Sequence, residues 1–415
     1  MIPDLDAPQL LGLIVAALLL QALAVAVLAI RGHGRSTAES SGTASEPPGA
    51  PRSSLAWSGT QAWRVRERRF EDAAGTQCSF VLEPVDGTPP PPFRPGQFLT
   101  FVLDLADPLA PGGRRQVTRC YSLSDGPGLP HYRVTIKRVG KPADHPEWSA
   151  GLVSNHFHDH VQVGDLMQVR APSGHFHLDE DPSVPAVLIA GGIGITPMIS
   201  MLEELIRHQP SRPVHLFYGV RSGHEHAFKA HLRTRQTNHP TLRLHVVYSR
   251  PAESDQLGID HHLVGHVDLA LLQKTLPHGR HRFFICGPGT MMSTLVPALK
   301  AWGVPDEDVL FEAFGPASVQ RPAAPVDAAA AGVKIRFQRS GRVLAWDGQD
   351  ASLLDFAERH ALLIDAGCRS GGCGTCATRL IEGRVSYPHA PDHDIPAGHC
   401  LPCVARPLTD LVLEA

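Results

Sequence analysis

Ala186-Val187-Leu188-Ile189-Ala190-Gly191-Gly192-Ile193-Gly194-Ile195-Thr196-Pro197 is the stretch that decides the fold. Five consecutive apolar residues without a polar alternate read as a strand buried on both faces. The glycines that follow let a backbone come close to a phosphate. Thr196 as N-cap and Pro197 at the first helical position predict a helix running through Arg207. Strand, glycine loop and helix together form the opening unit of a parallel α/β sheet, with free N–H groups and the positive dipole end facing a pyrophosphate. The spacing is not G-x-G-x-x-G, so neighbouring segments carry part of the reading.

Downstream, VHLFYGV (214–220), LRLHVVYS (242–249) and HRFFICG (281–287) continue the sheet, with helices between them. Upstream the pattern changes to short strands punctuated by Gly, Pro and Asp. WRVRERRF, CSFVLEP, GQFLTFVLDL, RCYSLS, HYRVTIKRV and LMQVRAP predict an antiparallel barrel. Within it, Arg119-Cys120-Tyr121-Ser122-Leu123-Ser124 offers what a flavin requires: a cation for its phosphates, an aromatic edge for its ring, and a hydroxyl and backbone for its ring nitrogens. Arg119 and Tyr121 alternate onto one strand face.

Cys368, Cys373 and Cys376, with Cys403 at a distance, have the C-x4-C-x2-C…C spacing of a plant-type [2Fe-2S] site. Zinc is the competing reading, although zinc ribbons favour paired C-x2-C knuckles. Cys400 competes with Cys403 as fourth ligand. Around the loop, KIRFQRSGRVLAW predicts a hairpin, SLLDFAERHALL an amphipathic helix and VARPLTDLVLE a closing strand. Eight cysteines without a secreted disulfide pattern suit a reducing compartment. With 38 Lys and Arg against 41 Asp and Glu, the net charge of −3 leaves no basic stripe for nucleic acid.

At the N-terminal side, Leu10 to Ile30 is an apolar run of bilayer-spanning length. A signal peptide and a buried core helix are the alternatives. Acids precede the run, and Arg31 and Arg35 follow it, which favours a single-pass anchor in the cytoplasmic membrane with the remaining chain on the cytoplasmic side. The Ser-, Gly- and Pro-rich segment after it reads as a disordered tether.

The expected organisation is therefore multidomain. It comprises a transmembrane helix (1–30), linker (31–54), antiparallel β-barrel flavin domain (55–181), α/β parallel-sheet nucleotide domain (182–316), linker (317–332) and a β-grasp ferredoxin-type domain (333–415).

Residues 57 to 415 resemble the ferredoxin-NADP reductase superfamily, in the subgroup with a C-terminal plant-type ferredoxin domain that serves bacterial oxygenases. The stretch from RCYSLS through GLVSNHFHDHVQVGD and GGIGITPM is also similar to the reductase half of flavohaemoglobins. The resemblance implies Arg119 on the flavin phosphate, Tyr121 against the ring and Ser122 near its N5. It places Gly151 and Ser154 at the FAD pyrophosphate, favouring FAD over FMN. Gly192, Gly194, Thr196 and Pro197 match the nicotinamide dinucleotide loop, and Cys286-Gly287 the segment beside the nicotinamide. In Glu312-Ala313-Phe314-Gly315-Pro316, Phe314 matches the residue that covers the flavin. Similarity of Leu401 to Ala405 to the ferredoxin strand entry favours Cys403 over Cys400.

The implied path runs from NADH or NADPH through FAD and [2Fe-2S] to a one-electron acceptor protein, such as an oxygenase. Ser122, Thr196, Cys286 and Phe314 surround the reacting rings. A quinone reductase and a non-catalytic redox sensor are the alternatives. Arg221 and Arg250 fit a 2′-phosphate, but similar arginines accompany NADH in relatives. His156, His158 and His160 alternate along an expected helix, a spacing that does not converge on a metal.

Overall fold

The computed structural model describes residues 56–57, 59–106, 111–141, 150–179, 181–314, 332–362, 364–369, 371–388, 391, 393 and 395–415. From Ser53 onward the chain is one compact unit.

β1 (Gln61–Phe70), β2 (Gln77–Pro84), β3 (Phe98–Ala106), β4 (Arg114–Ser122), β5 (Tyr132–Lys137) and β6 (Leu166–Ser173) form a six-stranded sheet in the order β4-β3-β6-β1-β2-β5. Its strand pairs are antiparallel. A bridge from Leu123 to Val134 and the hydrogen bond from Ser124 N to Arg133 O bring its two edges together. Inside lie Trp63, Phe80, Phe101, Phe157 and Tyr132, all fully buried. Phe157, from helix Leu152–Asp159, stands edge-on to Phe80, Phe101 and Tyr121.

β7 (Ala186–Gly191), β8 (Val214–Val220), β9 (Leu242–Tyr248), β10 (Leu263–Val264), β11 (Arg282–Gly287) and β12 (Val309–Ala313) form a parallel sheet in the order β10-β9-β8-β7-β11-β12. The chain winds from β7 to β8 on one side and later returns to place β11 on the other. The crevice beyond the C-terminal ends of β7 and β11 is therefore the topological switch point, where such sheets bind ligands.

β13 (Lys334–Phe337) and β14 (Arg342–Ala345) make the expected hairpin. They join β15 (Thr378–Glu382), β17 (His399–Cys400) and β19 (Leu411–Leu413) in a five-stranded sheet, while β16 (Val385–Ser386) pairs separately with β18 (Arg406–Pro407). Helix Leu353–Arg359 covers this sheet with Leu353, Phe356 and Ala357. The predicted closing strand is two strands, β18 and β19, because Pro407 lacks the N–H needed to continue one ladder. The predicted helix here stops at Arg359, where Ala361 takes a left-handed φ of 56°.

The expectation of a transmembrane helix, and with it a place in the cytoplasmic membrane and the membrane as a partner, is corrected. Among the described residues no helix is long and apolar enough to cross a membrane. The longest described helix, Ile195–His208, has 14 residues. That is about 21 Å, against roughly 30 Å of hydrocarbon. The apolar run at 10–30, the tether after it and most of the second linker lie outside the described residues.

Phe157→Ala should destabilise the barrel by about 3–5 kcal/mol, because a fully buried ring leaves a cavity that its aromatic neighbours cannot fill. Urea unfolding followed by tryptophan emission, which reports Trp63 beside this core, checks the loss.

Candidate functional site

Three loops converge where the barrel meets the parallel sheet. From β7 the chain passes through a tight turn, Gly192–Gly194, into helix Ile195–His208. A side chain at Gly194 would stand 2.1 Å from the carbonyl oxygen of Cys286, and one at Gly287 3.1 Å from the backbone of Gly191. These two glycines therefore let the loops after β7 and β11 touch. Gly192 is different: its φ is +53° and nothing lies within 4 Å of an added Cβ, which leaves open space for a ligand. The first free N–H groups of the helix point from this turn. Thr196 is buried, but it is not the N-cap. Its hydroxyl donates to Ile193 O at 3.1 Å, and the cap position belongs to Gly194.

Ser122, at the end of β4, is buried, and its Oγ donates to Glu312 Oε2 at 3.4 Å. Glu312 lies opposite Cys286 in the β11–β12 register. Burial pushes its carboxyl up to about 8, against a weaker lowering by the Ser122 hydroxyl. Cys286 is fully buried, and burial followed by Glu312 raises its thiol well above the ordinary value. Ser122, Glu312 and Cys286 thus bring the barrel together with β11 and β12, on one side of the switch point. Phe314 follows β12 with 39% of its surface exposed, so its ring is accessible to a ligand. Glu312 was quoted in the sequence but assigned no role. A lone acid at the end of the apolar strand Val309–Ala313 was the available signal.

Along β4, Arg119 is exposed, and among the described residues its Nη1 donates to Thr118 O at 2.7 Å. Tyr121 packs against Phe101 and Phe157, and burial raises its phenol. Gly151 caps helix Leu152–Asp159, and Ser154 Oγ donates back to Gly151 O at 3.3 Å. Of the three histidines, His158 turns inward to Ile136 O at 2.9 Å, while His156 and His160 share the outer face.

The four cysteines of the spacing motif fall into two pairs. Cys376 Sγ and Cys403 Sγ are 3.1 Å apart. Gly372 N and Cys373 N both donate to Cys368 Sγ at 3.3 Å, and Cys368 N donates to Cys373 Sγ at 3.2 Å. Arg369, Gly371 and Gly374 have positive φ, which turns these N–H groups towards sulfur. Cys120, then Cys368, lower the Cys373 thiol from its ordinary value. Among the described residues no three His, Cys, Asp or Glu converge on a single metal-ion position. Two thiol pairs with N–H donors aimed at sulfur fit a binuclear cluster instead. Cys400 sits in the hydrophobic core of its sheet, where burial pushes its thiol up to about 12.

The cysteine loop is pressed against the barrel. Ser173 Oγ donates to Gly372 O at 3.3 Å and Arg170 Nη1 to Cys373 O. A side chain at Gly372 would meet Phe98 and Ser173, each at 3.2 Å. The Cys120 thiol of β4 lies beside Cys368 and Cys373, and these two followed by burial raise it well above its ordinary value. None of these barrel contacts was anticipated from sequence.

Comparison with known proteins agrees with this architecture. Residues 188–296 match the oxidoreductase NAD-binding domain, and residues 335–408 the 2Fe-2S iron-sulfur cluster binding domain. The flavohemoprotein of Halalkalibacterium halodurans is 34% identical over 274 residues, covering 66% of this chain and 63% of that protein. The FAD/NAD binding domain of nitric oxide dioxygenase from Vibrio cholerae is similar with a TM-score of 0.53 and 32% identity, over 62% of this chain and 99% of that one. An intact type IV self-sufficient cytochrome P450 monooxygenase shares the fold over 86% of this chain and 41% of its own, with a TM-score of 0.54 and 22% identity. The chain spans about three fifths of the length of the curated relatives it matches. It belongs to the ferredoxin-NADP reductase superfamily of oxidoreductases, with a 2Fe-2S domain following the nucleotide domain.

Glu312 keeps its proton to about pH 8 when folded, against an ordinary value of 4.5. The folded state binds more protons across that window, so Glu312 makes stability fall as pH rises through it, by up to a few kcal/mol. Glu312→Gln should flatten this decline in denaturation midpoints measured from pH 5 to 8.

Proposed function

We propose that this chain is an NAD(P)H-dependent reductase that carries electrons through FAD and a [2Fe-2S] cluster to a partner redox protein such as an oxygenase. The observation that carries the reading is the double contact of β4. Ser122 reaches Glu312 of the nucleotide sheet, and Cys120, two residues earlier, reaches the cysteine loop. Bound flavin exchanges the electron pair of a hydride for single electrons, and a [2Fe-2S] cluster carries those one at a time.

In this reading residues 55–181 hold the flavin, 182–316 the nicotinamide nucleotide and 333–415 the cluster. Arg119 neutralises phosphate from its exposed position at the barrel edge, and Tyr121 supports the ring. Gly151 and Ser154 open the helix that faces the FAD pyrophosphate. Gly192 and Gly194, with the helix start at Thr196, receive the dinucleotide phosphates. Cys286, Gly287 and Thr196 shape the nicotinamide side of the crevice, and Phe314 covers the ring face until the nicotinamide enters. Ser122 presents its hydroxyl at that face and is oriented by Glu312, whose carboxyl holds its proton at neutral pH. Cys368, Cys373, Cys376 and Cys403 bind the iron, while Cys400 remains a core thiol.

Purified protein reconstituted with FAD, iron and sulfide should oxidise NADH or NADPH with ferricyanide and with cytochrome c. Cys403→Ala should lose the paramagnetic signal of the reduced cluster and the cytochrome c activity, yet keep nicotinamide-dependent bleaching of the flavin. Cys400→Ala should keep all three. A wild-type protein that binds no flavin, or a Cys400→Ala variant without cluster, would contradict the assignment.

A further inference from the structure

Successive side chains of β4 point to opposite sides of the strand. Tyr121 turns to Phe101 and Phe157, whereas Cys120 turns to the cysteine loop, where Cys368 and Cys373 lie beside it. The spacing motif contains four cysteines, and Cys120 is a fifth, brought there by the barrel. Its position is fixed by regular structure. β4 pairs with β3 from Phe98–Ser122 to Ala106–Arg114, and Thr100 Oγ1 lies 3.5 Å from Cys120 Sγ. The loop opposite is held in register by Ser173 on Gly372 O and by Arg170 on Cys373 O, and the absence of a side chain at Gly372 allows this approach.

We propose that the Cys120 thiol donates a hydrogen bond to the cluster sulfurs of the Cys368–Cys373 pair and thereby sets the reduction potential of the cluster from the flavin strand. Reduction adds negative charge that spreads onto the ligand sulfurs, and a donor aimed at them stabilises the reduced form and raises the potential. Within the loop, Thr375 Oγ1 and the N–H groups of Cys368, Gly372 and Cys373 already surround these sulfurs. Those groups move with the loop. Cys120 belongs to the barrel, so its bond exists only while the two parts are pressed together, and it ties cluster potential to that contact. The inference rests on the reading that these four cysteines hold a [2Fe-2S] cluster.

The test is a redox titration of the full reconstituted chain, following the paramagnetic signal of the reduced cluster, in wild type, Cys120→Ala and Cys120→Ser. Loss of the donor in Cys120→Ala should shift the cluster equilibrium towards the oxidised form about tenfold, which is ~59 mV for one electron. Cys120→Ser keeps a donor and should recover most of the shift. A loaded Cys120→Ala protein with unchanged midpoint and signal shape overturns this inference and leaves the proposed function standing. Loss of the cluster from both variants also overturns it, by making Cys120 a ligand. A wild-type protein with no such signal overturns both.

Discussion

The approach of the cysteine loop to the barrel wall is the constraint on which the arrangement depends. It is possible because Gly372 lacks a side chain where Phe98 and Ser173 leave only 3.2 Å. A Cβ there would require Phe98 and Ser173 to give way by a few tenths of an ångström, beside the bond that Ser173 makes to Gly372 O. At this seam Ser173 and Arg170 hold the backbone of the cysteine loop against the barrel wall. The same economy operates at the switch point, where Gly194 and Gly287 let two loops meet. Glycine thus serves close approach at both seams and, at Gly192, leaves open space beside the crevice.

The second organising feature is the electrostatic setting of Glu312. An acid facing Cys286 in a crowded crevice cannot ionise cheaply, so it stays protonated near neutrality. A neutral carboxyl beside Ser122 gives the crevice a polar partner without a fixed charge.

Much of this was legible in the sequence. VHLFYGV matches β8 residue for residue, and the barrel strands lie within a few residues of their quoted segments, because turn punctuation and burial patterns are local. The two matched domains follow from the glycine loop and the cysteine spacing for the same reason. Thr196 failed as a cap because the preceding tight turn moved the helix start to Ile195, a change of register that composition does not encode. Cys120 was quoted within the flavin motif and then passed over, since only the pairing of β4 with β3 and the docking of a loop some 250 residues later give it neighbours. The apolar run at 10–30 lies outside the described residues, and among those no helix is long and apolar enough to cross a membrane.

The pairing of Cys376 with Cys403 has a consequence for the chain as a polymer. The two residues are 27 positions apart. Closing a loop of that length costs roughly 3 kcal/mol of chain entropy. Whatever joins the two sulfurs covalently or through iron meets that cost once and acts as a clasp on the intervening segment. Iron supply would then govern how firmly this part of the polypeptide is knotted shut, and a starved cell would hold chains that are easier to unravel and degrade.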